Sequence, residues 1–256
     1  MYFRARDGVE LAFREIGEGR PVVLLHGYLS TARVNWLGPG HAEKLAAAGF
    51  RVILPDLRGH GESAKPHDPA AYPPDVLADD GFDLAEHLGL TGYDLAGYSL
   101  GGRTVVRMLA RGAAPGRAIV AGMGLSGISG LGPAEGERFR RALSDPESVT
   151  RGSADWPVVR FLRAVGGDPA ALLHILDTAV DTSREELARI ETPVLVLTGA
   201  ADPFHASAAE LASALGRGES ATVAGDHMSA VAKPELGDAM AEFFARGANA
   251  CETRET

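Results

Sequence analysis

The chain is poor in the residues that would tie it to several common protein classes. It has one cysteine, Cys251, in a polar stretch near the carboxyl end, so an intrachain disulfide is excluded and an oxidising compartment gains no support. Positive charge is short: 25 Lys and Arg stand against 34 Asp and Glu, a net charge of −9 at pH 7. Phosphate binding draws on clustered cations, so nucleic acid is not an expected partner. The one dense basic patch, Arg138, Arg140 and Arg141, reads as a solvated helix face. No apolar run reaches the roughly 18 residues that a membrane-spanning helix requires, so no membrane partner is expected. Charge at Arg4, Arg6 and Asp7 interrupts the amino terminus before the apolar core of a signal peptide can build up. A cytoplasmic protein is the expectation, and nothing in the composition fixes an oligomeric state.

What is present is a chain of 256 residues, 45% hydrophobic and 23% charged, an ordinary balance for one globular domain. A chain of that size buries roughly 70–75% of the surface its unfolded form exposes. Short apolar segments recur along it: VELAFREI (9–16), PVVLLHG (21–27), RVILPD (51–56), YDLAGYS (93–99), RAIVAGM (117–123), TPVLVLTG (192–199) and SATVAGD (220–226). Several are nearly continuous in Val, Ile and Leu, as strands covered on both faces are; the first alternates in polarity and suits an antiparallel edge. Helix-compatible stretches lie between them, near 41–48, 74–88, 101–111, 205–215 and 234–245. The alternation predicts an α/β protein, a mostly parallel sheet of about eight strands with helices on both faces.

Residues 126–184 break this rhythm. They carry no strand pattern but several short helical ones, among them GERFRRAL, WPVVRFLRAV and PAALLHILDTAV, and read as a small helical cap inserted after the sixth strand of a single domain spanning 1–256. About ten residues at the carboxyl end read as a frayed tail.

In an open parallel sheet, functional groups gather at the carboxyl ends of the strands. Here those ends carry His26, Asp56, Ser99, Asp202 and His227. Gly97-Tyr98-Ser99-Leu100-Gly101 has the form G-x-S-x-G, with a strand pattern before it and a helical one after it, the context in which that motif displays a nucleophile on a tight turn. Side chains at 97 or 101 would collide in such a turn. A serine hydroxyl needs a base to take its proton, and the chain has eight histidines. His41 and His87 fall in helical patterns, His60 and His67 in the loop after 51–56, His174 in the cap, and His205 at a helix start where it is expected to face solvent. His227, in AGDHMS after the last strand, is the expected base. Asp202, in LTGAADPF just past the preceding strand, is the carboxylate that would fix its tautomer. Asp226 adjoins His227, and neighbours on an extended segment point apart, so it reads as a turn former. Asp56, in DLRGHGES, reads as a loop-shaping residue.

Two other patterns carry less. GMGLSG (122–127) satisfies G-x-G-x-x-G, and Glu147 lies 20 residues past Gly127, but ISGLGP follows where a dinucleotide fingerprint opens into a helix. No nucleotide cofactor is expected, and the glycines read as a hinge into the cap. Asp202, His205, Asp226 and His227 match no zinc spacing, so no metal is expected.

Ser99, Asp202 and His227 occur in the order nucleophile, acid, base. With HGYL after an early strand and DLRGHGES after the next, the chain resembles the α/β-hydrolase superfamily over nearly its whole length. The resemblance implies a cofactor-free serine hydrolase. It further implies an oxyanion hole made by the backbone N–H groups of Tyr28, which follows the His-Gly pair, and of Leu100, which follows the nucleophile, with His26 supporting the loop. Tyr98 departs from the family pattern, since many relatives carry histidine there, and the tail after the last helix is a second departure. Serine at 99 separates the chain from epoxide hydrolases and haloalkane dehalogenases of similar layout, which use aspartate. Trp156, Phe161 and Leu162 of the cap, with Tyr28, are candidates to line a pocket over Ser99, although an amphipathic helix buries such residues with or without a ligand. No long apolar lid is present. The expected substrate is therefore a soluble carboxylic ester of small or medium acyl group, hydrolysed through an acyl-enzyme. The alternatives are lactone hydrolysis, carbon–carbon bond hydrolysis or perhydrolysis on the same triad, and, from another class, a small-molecule receptor on a hydrolase scaffold.

Overall fold

Side chains alternate along a strand, and here the alternation divides apolar residues between two cores. Val23, Leu25, Leu95, Val120 and Val196 are buried on one face of the sheet; Val22, Leu24, Ala96, Ile119 and Leu197 are buried on the other. Strands apolar on both sides need a helix layer over each, and the computed structural model, which describes residues 1–129 and 133–246, has that form. Cys251 and the tail expected to fray lie outside the described residues.

The strands are β1 (Tyr2–Arg4), β2 (Glu10–Ile16), β3 (Arg20–Leu25), β4 (Phe50–Pro55), β5 (Asp94–Tyr98), β6 (Ala118–Ala121), β7 (Val194–Gly199) and β8 (Gly218–Val223). They form one eight-stranded sheet in the order β1-β2-β4-β3-β5-β6-β7-β8. β2 is antiparallel to β1 and β4, and the remaining pairs are parallel. β1 has no counterpart in the apolar pattern, because a three-residue strand with only Phe3 buried presents no periodicity. Helices α1 (His41–Ala47) and α10 (Pro234–Ala245) cover one face, with a π-helical turn at Arg33–Leu37 beside them; α2 (Val76–His87), α3 (Leu100–Ala110) and α9 (Ala208–Ala214) cover the other. Pro234 opens α10, where its missing N–H would have had no intrahelical partner. Among the described residues no helix is long and apolar enough to cross a membrane.

Between β6 and β7 the chain runs through α4 (Leu125–Ile128), α5 (Pro133–Ser144), α6 (Trp156–Val165), α7 (Pro169–Ile175) and α8 (Arg184–Ala188). Helices α5 to α7 build a third core of Ala142, Leu143, Val158, Val159, Leu162 and Leu172. One further buried residue joins it from the sheet side, Leu29. Asp168 caps α7 by accepting from the N–H groups of Ala170 and Ala171. The basic patch is a solvated face, its three arginine side chains exposed, and it carries surface pairs. Arg140 pairs with Asp177 at 2.6 Å, Arg141 with Asp155 at 2.7 Å, and Arg138 donates to the Ala154 carbonyl, so the arginines hold α5 to other parts of the cap.

Candidate active site

β5 ends in Tyr98, and Ser99 turns the chain directly into α3 with φ +54° and ψ −114°. A non-glycine residue held at positive φ stores strain of order 1–3 kcal/mol, which persists only where surrounding contacts enforce it. The contacts are visible. Ser99 N–H donates to Ala121 O at 2.8 Å, and Arg103 N–H donates to Ser99 O at 2.9 Å. A Cβ at Gly97 would overlap the Gly101 carbonyl, and one at Gly101 would overlap the Leu25 carbonyl at the end of β3. The two glycines thus serve different clearances, one across the turn and one against the neighbouring strand.

His227 follows β8 and Asp202 follows β7, so two adjacent parallel strands deliver them to the edge where Ser99 stands. Nε2 of His227 lies 3.0 Å from Ser99 Oγ, and Nδ1 lies 2.9 Å from Asp202 Oδ2. Because the carboxylate accepts from Nδ1–H, the Nε2 lone pair faces the serine hydroxyl. Asp202 is buried, and its other oxygen accepts from Phe204 N–H. Asp226 forms a turn instead, accepting from the N–H groups of Met228 and Ser229 and from the Ser229 hydroxyl. Asp56 likewise shapes loops, its oxygens accepting from Ala32 and Glu62 N–H. His205 does not simply face solvent; it is half-buried with Nδ1 3.0 Å from Thr198 Oγ1.

The turn after β3 lies against Ser99, with the Cβ position of Gly27 only 3.4 Å from Ser99 Cβ. Leu57 N–H donates to His26 Nε2 at 2.9 Å, which puts the ring hydrogen on Nδ1, and Nδ1 donates to Gly27 O at 2.8 Å. Burial holds the His26 pKa below its ordinary value, in keeping with that neutral form. Gly27 N–H donates to Asn35 Oδ1 at 2.7 Å, from the π-helical turn. Among the described residues the N–H groups of Tyr28 and Leu100 make no hydrogen bond, and Leu100, as the first residue of α3, has no carbonyl one turn back in its helix. His60 is buried beside His26, ring centres 5.1 Å apart, and burial with that neighbour holds its pKa down to about 3.

Sequence reasoning missed three contributors. Asn35 carries no motif. Tyr98 donates its hydroxyl to the backbone carbonyl of His227 at 2.7 Å, tying the residue before Ser99 to the loop that carries His227, and burial pushes its own pKa up. Leu29 adopts φ +58°, with no glycine or asparagine to announce it. The glycines of GMGLSG leave close clearances: a Cβ at Gly122 would lie 2.8 Å from the Tyr98 ring, and one at Gly127 would meet Met123 and, at 2.8 Å, Phe204. Of the proposed pocket residues, Leu162 lies in the cap's own core, Phe161 packs against that core, and Trp156 is half-buried with the Arg163 guanidinium 5.9 Å from its ring centre. Tyr28 packs edge-on to Phe139 of α5. A small crevice lined by Asp75, Leu100, Arg103, Arg107 and Thr178 does not include Ser99.

This sheet order, with a serine elbow between the central strand β5 and α3, is that of the α/β-hydrolase fold, and the family model of that fold matches residues 20–143. The chain belongs to the α/β-hydrolase superfamily. It is similar to the AB hydrolase superfamily protein YisY of Bacillus subtilis (36% identity over 110 residues, 43% of this chain and 39% of that protein). It is also similar to the non-heme chloroperoxidase CPO-A1 of Kitasatospora aureofaciens (39% identity over 109 residues, 41% of this chain and 37% of that protein). These matches span about two fifths of the length of the curated relatives. A thermophilic esterase from Thermogutta terrifontis, solved with malate bound, superimposes with a TM-score of 0.77 at 25% identity, covering 96% of this chain and 99% of that one.

Proposed function

We propose that this chain hydrolyses carboxylic esters of small or medium acyl group through a covalent acyl-serine. The observation that carries the reading is the unbroken line from Asp202 Oδ2 through the His227 ring to Ser99 Oγ, with both gaps at hydrogen-bond length. His227 Nε2 takes the Ser99 proton as Oγ bonds to the ester carbonyl carbon. The oxygen that gains charge is received by the N–H groups of Leu100, next to Ser99 in the chain, and of Tyr28, which follows the Gly27 that packs on Ser99; neither has a partner among the described residues. Each such donor is worth about 2.7–4 kcal/mol in the transition state where measured in another enzyme. His227 then gives the proton to the departing alcohol, and the reverse sequence with water releases the acid.

A second reading is perhydrolysis, in which hydrogen peroxide rather than water resolves the acyl-enzyme and a peroxy acid leaves. It is favoured by the similarity to a protein named a chloroperoxidase. One experiment separates the two. The purified protein is given 4-nitrophenyl acetate with and without hydrogen peroxide, nitrophenol release and peroxy acid are both followed, and a fluorophosphonate reports which residue is acylated. Stoichiometric labelling at Ser99 with turnover in water supports the esterase; labelling with peroxy acid as the main product supports the second reading. A protein that labels nowhere and releases no nitrophenol overturns both.

A further inference from the structure

We infer that the cap is a working part of the oxyanion hole, because its apolar core clamps the turn that carries the Tyr28 N–H; Leu29 and the Tyr28 hydroxyl are the positioning groups. This rests on the ester-hydrolase reading for its catalytic consequence, although not for its geometry.

The turn runs from Gly27 to Ser30 and is closed by Ser30 N–H donating to Gly27 O at 3.2 Å. Its third residue, Leu29, has φ +58°, while Tyr28 is not in the positive region. That combination is the type II pattern, whose third position is normally glycine or asparagine because an L side chain there meets its own backbone. Nothing in the turn itself favours the leucine. What holds it lies outside: Leu29 is only 5% exposed, and the buried residues it clusters with, Ala142, Leu143, Val158, Val159, Leu162 and Leu172, all belong to the cap.

A second tie runs in parallel. Tyr28 Oη donates to the carbonyl of Leu172 in α7 at 2.7 Å, and the Tyr28 ring meets Phe139 of α5 edge-on with centres 5.1 Å apart. On the sheet side, the same turn is held by Asn35 and His26 through Gly27, and the Tyr28 ring also packs on the main core and stands edge-on to His60, centres 6.0 Å apart. The turn is thus anchored below by the fold and above by the cap. Were the cap core to loosen, Leu29 would relax toward negative φ, the turn would lose its type II geometry, and the 27–28 peptide, which carries the Tyr28 N–H, would tilt about its remaining hold on His26. The cap then acts on the rate of the chemical step as well as on what enters.

The substitutions Leu29→Ala and Leu29→Gly discriminate. Both remove the side chain that the cap grips, but glycine adopts positive φ freely and alanine does not. With 4-nitrophenyl acetate, Leu29→Ala is expected to lose about tenfold or more in kcat at little change in KM, short of the 10²–10³ lost when a donor is deleted outright. Leu29→Gly is expected to recover most of that loss, although its melting temperature falls at least as far. Tyr28→Phe, which removes only a hydroxyl, is expected to lower kcat severalfold and leave KM alone. If Leu29 is merely a core residue, kcat of the folded fraction stays at the parental value in both variants, or glycine falls below alanine; either result overturns the inference. Crystal structures of the two variants give a readout independent of activity, with φ at 29 negative in the alanine form and positive in the glycine form. A positive φ in the alanine form overturns the clamp. Absence of Ser99 labelling in the parent, with the backbone behaving as expected, overturns the ester-hydrolase reading and the catalytic role while leaving the geometric clamp standing.

Discussion

His227 Nε2 lies 3.0 Å from Ser99 Oγ across 128 residues of chain, and the imidazole reaches the hydroxyl from a loop two strands further along the sheet than the one after β6. A contact so distant in sequence exists because β5 and β8 end at the same edge of a parallel sheet. His227 is therefore held in place by the fold as a whole and not by any local motif.

Removing the hydroxyl should abolish the chemistry without touching that framework. Ser99→Ala is expected to lose about 10⁶ in kcat, and Asp202→Asn about 10⁴, the latter through the wrong imidazole tautomer. Circular dichroism and melting temperature should show both proteins folded, and steady-state kinetics on 4-nitrophenyl acetate gives the ratio. Turnover within tenfold of the parent for Ser99→Ala would remove the proposed nucleophile.

Tyr98→Phe deletes one hydroxyl and with it the bond to the His227 carbonyl. A single neutral hydrogen bond contributes about 0.5–1.5 kcal/mol, so the base loop should loosen by a comparable amount and kcat fall about three- to tenfold. KM should stay put, since no substrate contact is removed. A changed KM with unchanged kcat would place Tyr98 in the binding pocket instead.

The amino-terminal end of the sheet carries a pH dependence of its own. Asp94, at the start of β5, is fully buried, and burial pushes its pKa up from 3.8 to about 6 even though Arg20 Nη2 lies 2.7 Å away and opposes the shift. Between those two values the native state keeps a proton that the unfolded state has released. The contribution of this group is therefore fully present below 3.8 and is lost as pH rises through about 6. At about 1.4 kcal/mol per unit, the loss across that window is of order 3 kcal/mol. Urea unfolding of parent and Asp94→Asn at pH 4, 5, 6 and 7 should show the parental stability falling more steeply over that range than the variant's. Identical slopes would mean that the carboxylate stays charged throughout.

The strands that build the site were legible because they are buried on both faces and run almost without interruption in Val, Ile and Leu. Their carboxyl ends point to Ser99, Asp202 and His227, and the structure brings these three side chains together. What escaped the sequence is whatever depends on a distant partner. Leu29 has an ordinary side chain whose φ is decided by cap helices more than a hundred positions away. Asn35 sits in a π-helical turn that no periodicity announces, and its role is set by Gly27. The arginines of α5 look alike on paper as an exposed charge run, yet their acidic partners at 155 and 177 sit in other segments of the cap. The glycines of GMGLSG belong to the same class: the first leaves room for the Tyr98 ring and the last for Met123 and Phe204.

Leu29, which crosses from the sheet side into the cap's interior, bears on how such proteins are recombined. A chimera that exchanges only the segment between β6 and β7 would leave residue 29 facing a foreign cavity, and the graft would lose rate even if it folded and admitted its new ligand. Donor and recipient would have to trade Tyr28 and Leu29 along with the helices, so the transferable unit is discontinuous in the gene though contiguous in space.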